Sequence, residues 1–439
     1  MRFFTFVAVA YLALCAFLPP QFLLYLTTSA MGLLVLYQAF YQSALRPDLG
    51  RSALTGLLPV LAFIVSYAGI EASYTGDIRL LFAHTVLLAV CYLLGFFCAG
   101  LGVQNAERAG IWMLTTLAVA GAVYAVLCVY ITGVETYGIN ERGVSIFTDI
   151  WGGMQVSTNL TLRATVAIAL VTAIAAVSSA MSLPLQWLLR GGLLVSAVGS
   201  LYATLQIGNR TGIVVILMSN LTIAVVMAMH LIRRGRRRSG VSVLALALLA
   251  AAIFYAVSQI DVAGSRLFMR LERLEWDTGG RLEATATAFL GLLDNPMGGK
   301  VTDLAGGFGY AHNLWADVAY STGIIPLALL VFINIQHLVP SVRLLLHPGI
   351  DLLWKSLVAG LLVTLFLYFA VEPAIEANIF NLATYCLLCG LVKRLDAEGR
   401  YQALLEQQPS AVRFERPGWP RGGLPSRLGR RPPPLGSHG

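Results

Sequence analysis

Four residues could do chemistry in an otherwise apolar chain: His312, Arg281, Arg210 and Arg163. His312 follows the run Gly306-Gly307-Phe308-Gly309 and sits with Asn313 at the threshold of a new apolar segment. An imidazole with an ordinary pKa near ~6.5 can take a proton from a sugar hydroxyl at neutral pH. The glycines before it, Gly309 the last of them, let the backbone lie close to a bulky substrate. Asn313 is placed to position an acceptor or the loop itself. Arg281 opens the second half of the same polar stretch after a Gly-Gly break, and Arg210 lies in Ile-Gly-Asn-Arg-Thr-Gly between two apolar runs. Arg163 falls within a third apolar run, where a charge costs roughly 2.5–3.5 kcal/mol at mid-membrane and less near the edge. A guanidinium meets two phosphate oxygens at once, so a diphosphate-linked lipid is a natural partner for such arginines. A structural ion pair is the alternative for Arg163 and Arg210.

Other candidates carry less. His230, His337 and His347 fall near the opposite ends of their segments, His438 lies in the tail, and His84 reads as a helix histidine satisfied inside its span. Cys386 and Cys389 form a C-x-x-C, but within an apolar segment and without a second pair, so they read as small core residues. No D-x-D, no G-x-S-x-G and no His/Asp/Glu cluster of metal-ligand spacing occurs. The expectation is a reaction without metal or other cofactor.

These residues need a membrane scaffold to hold them. The chain has 439 residues, of which 57% are hydrophobic and only 12% charged, about half the charge of a soluble domain. With about 20 helical residues per crossing, spans are predicted near 3–18, 21–40, 53–70, 80–100, 110–132, 157–181, 185–206, 211–232, 241–259, 315–335, 353–371 and 376–393. The N-terminal run lacks a small-residue cleavage site and reads as the first span rather than a signal peptide. The fold class is therefore all-α and polytopic, with about twelve transmembrane helices.

The net charge of +8 follows topology rather than nucleic acid. Arg46, Arg51, Arg108, Arg190, the run Arg233-Arg234-Gly235-Arg236-Arg237-Arg238, Arg343, Lys355, Lys393 and Arg394 fall on one side if the spans alternate, which makes that side and both termini cytoplasmic. The outward side then holds one long loop, 260–314, with short helices. Within it Arg266, Arg270 and Arg273 accompany Leu267, Leu271 and Leu274 in a surface-lying amphipathic pattern. Residues 1–400 form the membrane domain, and 401–439 a basic, Pro- and Gly-rich cytoplasmic tail expected to be disordered.

The order of these motifs resembles the O-antigen ligase and O-antigen polymerase superfamily of bacterial inner membranes. Asn209-Arg210-Thr211-Gly212, Gly279-Gly280-Arg281, Asn295-Pro296, His312-Asn313-Leu314 and Ser321-Thr322-Gly323-Ile324-Ile325 carry the resemblance, which covers nearly the whole chain. It departs from the commonest form at Asn209, where a serine often precedes the arginine. The resemblance implies a glycosyltransferase whose donor is an undecaprenyl-diphosphate-linked glycan, acting on the periplasmic face without metal and with inversion. Arg210 and Arg281 match the diphosphate-binding arginines, and His312 the histidine that activates the acceptor. A single long outer loop favours the ligase branch, whose acceptor is a sugar of lipid A–core oligosaccharide. A polymerase using the same donor is the alternative within the family. A lipid-linked glycan transporter or flippase is the alternative of another class, although no internal repeat is visible.

Overall fold

Inside a bilayer every backbone N–H and C=O must be bonded within the chain, so long apolar runs fold as helices. The computed structural model describes residues 2–17, 22–76, 79–132, 138–139, 145–177, 182–208, 210–235, 241, 243, 280–301, 303–304, 310–372, 375 and 379–407. Helices α1 (Arg2–Phe17), α2 (Phe22–Leu45), α3 (Pro47–Thr75), α4 (Arg79–Phe97) and α5 (Val103–Thr132) come first. After a small sheet follow α6 (Ser157–Ala169), α7 (Leu183–Ile207), α8 (Arg210–Arg233), α9 (Arg281–Asp294), α10 (Leu314–Thr322), α11 (Ile324–Leu346), α12 (Leu352–Phe369) and α13 (Ile379–Gln407). The chain divides into two units, Met1–Gly399 and Arg400–Gly439; the account below concerns the first.

Six described helices are long and apolar enough to cross a membrane: α3, α5, α7, α8 from Thr211, α11 and α12. They are apolar on both faces. Leu57, Leu193, Leu330 and Leu357 are buried, while Leu58, Trp187, Val198, Phe332 and Val339 face outward, the signature of a helix with apolar surroundings on every side. Small residues let the backbones cross closely. A Cβ on Gly95 of α4 would stand 2.1 Å from the Leu387 carbonyl of α13, and one on Gly390 would stand 2.1 Å from the Tyr92 carbonyl. Cys386 and Cys389 are buried, unbridged thiols at this crossing.

Several expected spans differ in their bounds. The run 157–181 does not continue as one helix: α6 ends at Ala169 and a 3-10 turn, Val171–Ala176, follows. Asn220 of α8 enters the break, accepting from the Thr172 N–H and Oγ1 and donating to the Ile168 carbonyl, so the interruption leaves these groups bonded. The expected span 315–335 is divided between α10 and α11 at Gly323, whose φ of 83° and ψ of −163° are open only to glycine. The final helix runs on to Gln407, past the start of the expected tail. Ion pairs Arg394–Glu398 at 3.0 Å, Arg46–Glu398 at 2.8 Å and Arg343–Asp396 at 3.3 Å hold its latter half. Of the expected span 241–259 only Val241 and Val243 are described, and Arg266, Arg270 and Arg273 lie outside the described residues.

A short antiparallel sheet interrupts the helices. Strands β1 (Gly138–Ile139), β2 (Ser145–Thr148) and β3 (Met154–Val156) pair in the order β1-β2-β3. Asp149 closes the second turn by accepting from the N–H groups of Trp151 and Gly153, and Trp151 donates its indole N–H to the Phe17 carbonyl at 2.6 Å. Phe147 is buried with Tyr124, Cys128 and Leu160, which fastens the sheet to α5 and α6.

Candidate functional site

His312 is held by its neighbours on both sides. Asn313 is the N-cap of α10: its side-chain oxygen accepts from Trp315 N at 3.0 Å and Ala316 N at 3.1 Å, the ordinary use of Asn at a helix start. Its amide also donates to the Ala370 carbonyl at 3.1 Å, which ties α10 to the C-terminal end of α12. On the other side, buried Asp317 accepts from Ala311 N at 3.2 Å, and Tyr310 packs its ring 4.6 Å from the imidazole. Trp315 stacks on Phe366 and meets Phe369, while Tyr385 meets both phenylalanines edge-on. The imidazole is thus packed against the Tyr310 ring and 7% exposed.

Arg281 reaches this place because α9 lies against α10. Ala284 and Ala288, one turn apart, share a small buried cluster with Leu304, Ala311 and Ala316. Gly280 in the left-handed conformation, φ 79°, starts the helix and leaves Arg281 exposed at its first turn. There its charge acts on both His312 and Glu372. Burial, and then Arg281, push the His312 imidazole down to about 4. Burial pushes the Glu372 carboxyl up to about 7, with Arg281 opposing. Desolvation disfavours the charged form in each case, so His312 is neutral and Glu372 is poised near neutrality.

Glu372 was not among the residues expected to act. It is 8% exposed and its N–H donates to the Tyr368 carbonyl, 2.8 Å away, just past the end of α12. One acid in a short loop carries no spacing signal. Its only mark in the sequence is its company, Val371-Glu372-Pro373, on the same expected side as His312.

The motifs Asn295-Pro296 and Ser321–Ile325 turn out to bind each other. Ile324 N donates to the Pro296 carbonyl at 2.8 Å, Gly299 N to Ser321 at 2.9 Å and Lys300 N to Tyr320 at 3.2 Å. A Cβ on Gly323 would stand 2.2 Å from the Pro296 carbonyl, and one on Gly298 would stand 2.6 Å from Gly323 N. Lys300 pairs with Glu71 of α3 at 3.4 Å. These residues clasp the segment after α9 to the α10–α11 junction rather than presenting polar groups to a ligand.

Arg163 and the start of α8 lie on a neighbouring part of the same scaffold. Thr165, two residues after Arg163, shares a 2.8 Å hydrogen bond with Tyr368, whose carbonyl receives the Glu372 N–H. A Cβ on Gly212 would stand 2.9 Å from the Thr165 methyl, so the first turn of α8, beginning at Arg210, packs against the Thr165 face of α6, while Arg163 lies on a different face of that helix. The exposed N–H groups of such a turn favour an anion. The side chain of Arg210 and the whole of Gly309 lie outside the described residues. The Arg163 guanidinium lies 4.6 Å from the Tyr124 ring centre and 5.2 Å from that of Phe380. Among the described residues it forms no ion pair, so these aromatic faces are the contacts its cation has here. It also lines a cleft whose other walls, including Leu12, Leu87, Leu117, Val166 and Leu361, are mostly apolar.

Among the described residues no three of His, Cys, Asp and Glu form a metal-binding group. No protein-family model and no curated protein matches the chain.

Proposed function

We propose that the chain is an O-antigen ligase-type glycosyltransferase of a bacterial inner membrane. In this reading about twelve spans, with both termini cytoplasmic, hold the 260–314 loop on the periplasmic face. The donor is an undecaprenyl-diphosphate-linked glycan and the acceptor a sugar hydroxyl of lipid A–core oligosaccharide. No metal or other cofactor takes part. The observation that carries the reading is the meeting of Arg281, His312 and Glu372 at the end of α12, with α6 and the start of α8 fastened alongside. An apolar cleft bearing the Arg163 guanidinium suits a lipid with an anionic head.

The chemistry is one displacement. The acceptor oxygen attacks the anomeric carbon while its proton passes to neutral His312. The bond from that carbon to the diphosphate oxygen breaks, and the diphosphate leaves with the electron pair. Arg281, Arg210 and Arg163 meet the charge that develops on it, which is where fixed cations accelerate a reaction most. Donor binding also prepares the base, because diphosphate beside Arg281 offsets the charge that holds the imidazole down. Ionised Glu372 then stabilises the imidazolium as it forms.

The deciding experiment is a strain lacking the gene, carrying either the native chain or His312→Ala, with its lipopolysaccharide resolved on a gel. The reading expects bare core with lipid-linked long polymer in the deletion and the His312→Ala strain, and full attachment with the native chain. Core bearing a single repeat would instead make the chain a polymerase. Accumulation of single lipid-linked units on the cytoplasmic side would make it a flippase.

A further inference from the structure

A second cationic site lies at the opposite end of α12. The 18 residues of that helix span about 27 Å at ~1.5 Å per residue, so its start is one membrane thickness from His312. There the ends of α8 and α11 and the start of α12 surround a recess of about 260 Å³. Its polar walls are His230, Arg233, Arg234 and Lys355, and Leu346 and Pro348 close the remainder.

Glu107 and Asp351 act on Lys355 only at a distance, and neither forms a close ion pair with the cations of this recess. Arg233 donates to the Leu346 carbonyl, and Lys355 donates to the His347 carbonyl with its Nζ 3.5 Å from His230 Nδ1. Cations at the carboxyl end of a helix satisfy its last carbonyls, which accounts for two of the groups without giving either a directly paired anion. The nearby acids are turned elsewhere. Glu107 accepts from Asp351 N at 2.9 Å, and Asp351 caps α12 through Leu353 N and Trp354 N. Among the described residues no carboxylate lies within ion-pair distance of Arg233, Arg234 or Lys355. Lys355 is only 1% exposed, and a buried ammonium without an anion is costly. Arg233 and Arg234, by contrast, are exposed at the rim, where an incoming anion meets them first.

We propose that this recess binds a phosphate-bearing anion, with Arg233 and Arg234 holding its oxygens at the rim and Lys355 below them. The recess is small and open at its rim, which suits a phosphate group whose remainder stays outside. An anionic phospholipid headgroup is one source and free phosphate another.

The test uses the purified full-length chain in phosphatidylcholine nanodiscs. Three additions are compared by thermal stability and by native mass spectrometry of retained lipid: none, phosphatidylglycerol in the disc, and inorganic phosphate in the buffer. Stabilisation by phosphatidylglycerol alone assigns the site to a lipid headgroup. Stabilisation by inorganic phosphate as well assigns it to phosphate from either source. The double variant Arg233→Gln/Arg234→Gln, at the exposed rim, should bind about thirtyfold more weakly, from roughly a fivefold effect per cation near a membrane surface. Lys355→Arg, which keeps the buried charge, should retain binding. No stabilisation by either anion, or equal binding by native chain and double variant, overturns the proposal.

Discussion

His312 and Glu372 are shifted in opposite senses by the same burial, and this predicts the pH dependence of the proposed reaction. With its imidazole pushed down to about 4, His312 is already neutral throughout the physiological range and adds no limb there. Glu372, pushed up to about 7, loses its proton as pH rises through that value. The value of kcat/KM, which reports free-enzyme groups, should therefore climb through pH 7 and level above it. Glu372→Gln should remove that limb and lower the rate about 100-fold, the lower end of the range for general acid–base catalysis. A profile in the variant that keeps the limb near pH 7 would take Glu372 out of the mechanism. Arg163→Ala should raise the donor KM by about tenfold with acceptor KM unchanged, as expected for loss of one charge-assisted contact. Of these residues, three arginines and a histidine are legible in the sequence because charge is rare in apolar runs. Glu372 is not, since its character comes from burial at the end of a helix and from an arginine ninety residues earlier.

Asn313 reads in the sequence as a residue that positions the acceptor or the loop; in the structure it caps α10 and bonds the Ala370 carbonyl. Asn313→Ala removes a cap worth ~1 kcal/mol and the strut to Ala370. Activity should fall more than stability, because the strut aligns α10 with Glu372; thermal unfolding beside kinetics on one preparation separates the two. Gly323→Ala is expected to be severe. The residue has a glycine-only backbone conformation that costs ~1–3 kcal/mol for other residues, and its Cβ would collide with a carbonyl oxygen. Yield of folded protein on fluorescence size-exclusion chromatography should collapse for Gly323→Ala while Gly191→Ala, in open space, is tolerated. The break at Gly323 is hard to read from sequence because apolar residues continue across it without a polar gap. The break after Ala169 is equally hidden, since Asn220, which fills it, comes from another helix. The small sheet escapes for a related reason: its strands are two to four residues long, too short for a period of two to register.

At the scale of the whole molecule, six helices that can cross a membrane stand between a proposed glycan-transfer end and a cationic end. Cysteine substitution at exposed Asp303 and at Gly235 tests this polarity. A membrane-impermeant maleimide applied to intact spheroplasts should label position 303 and leave 235 unlabelled until the cells are opened. Labelling of both from outside contradicts the proposed orientation. The clasp between Pro296 and Ile324 also bears on biogenesis. Its two halves are separated by 27 residues of chain, which take the ribosome roughly 1–6 s at about 5–20 residues per second. Until Ile324 emerges, the Pro296 carbonyl lacks the N–H that it binds in the finished chain. The machinery that inserts the chain therefore meets an unclosed clasp for several seconds, and a nascent chain stalled anywhere before Gly323 also lacks Glu372, the acid of the proposed site.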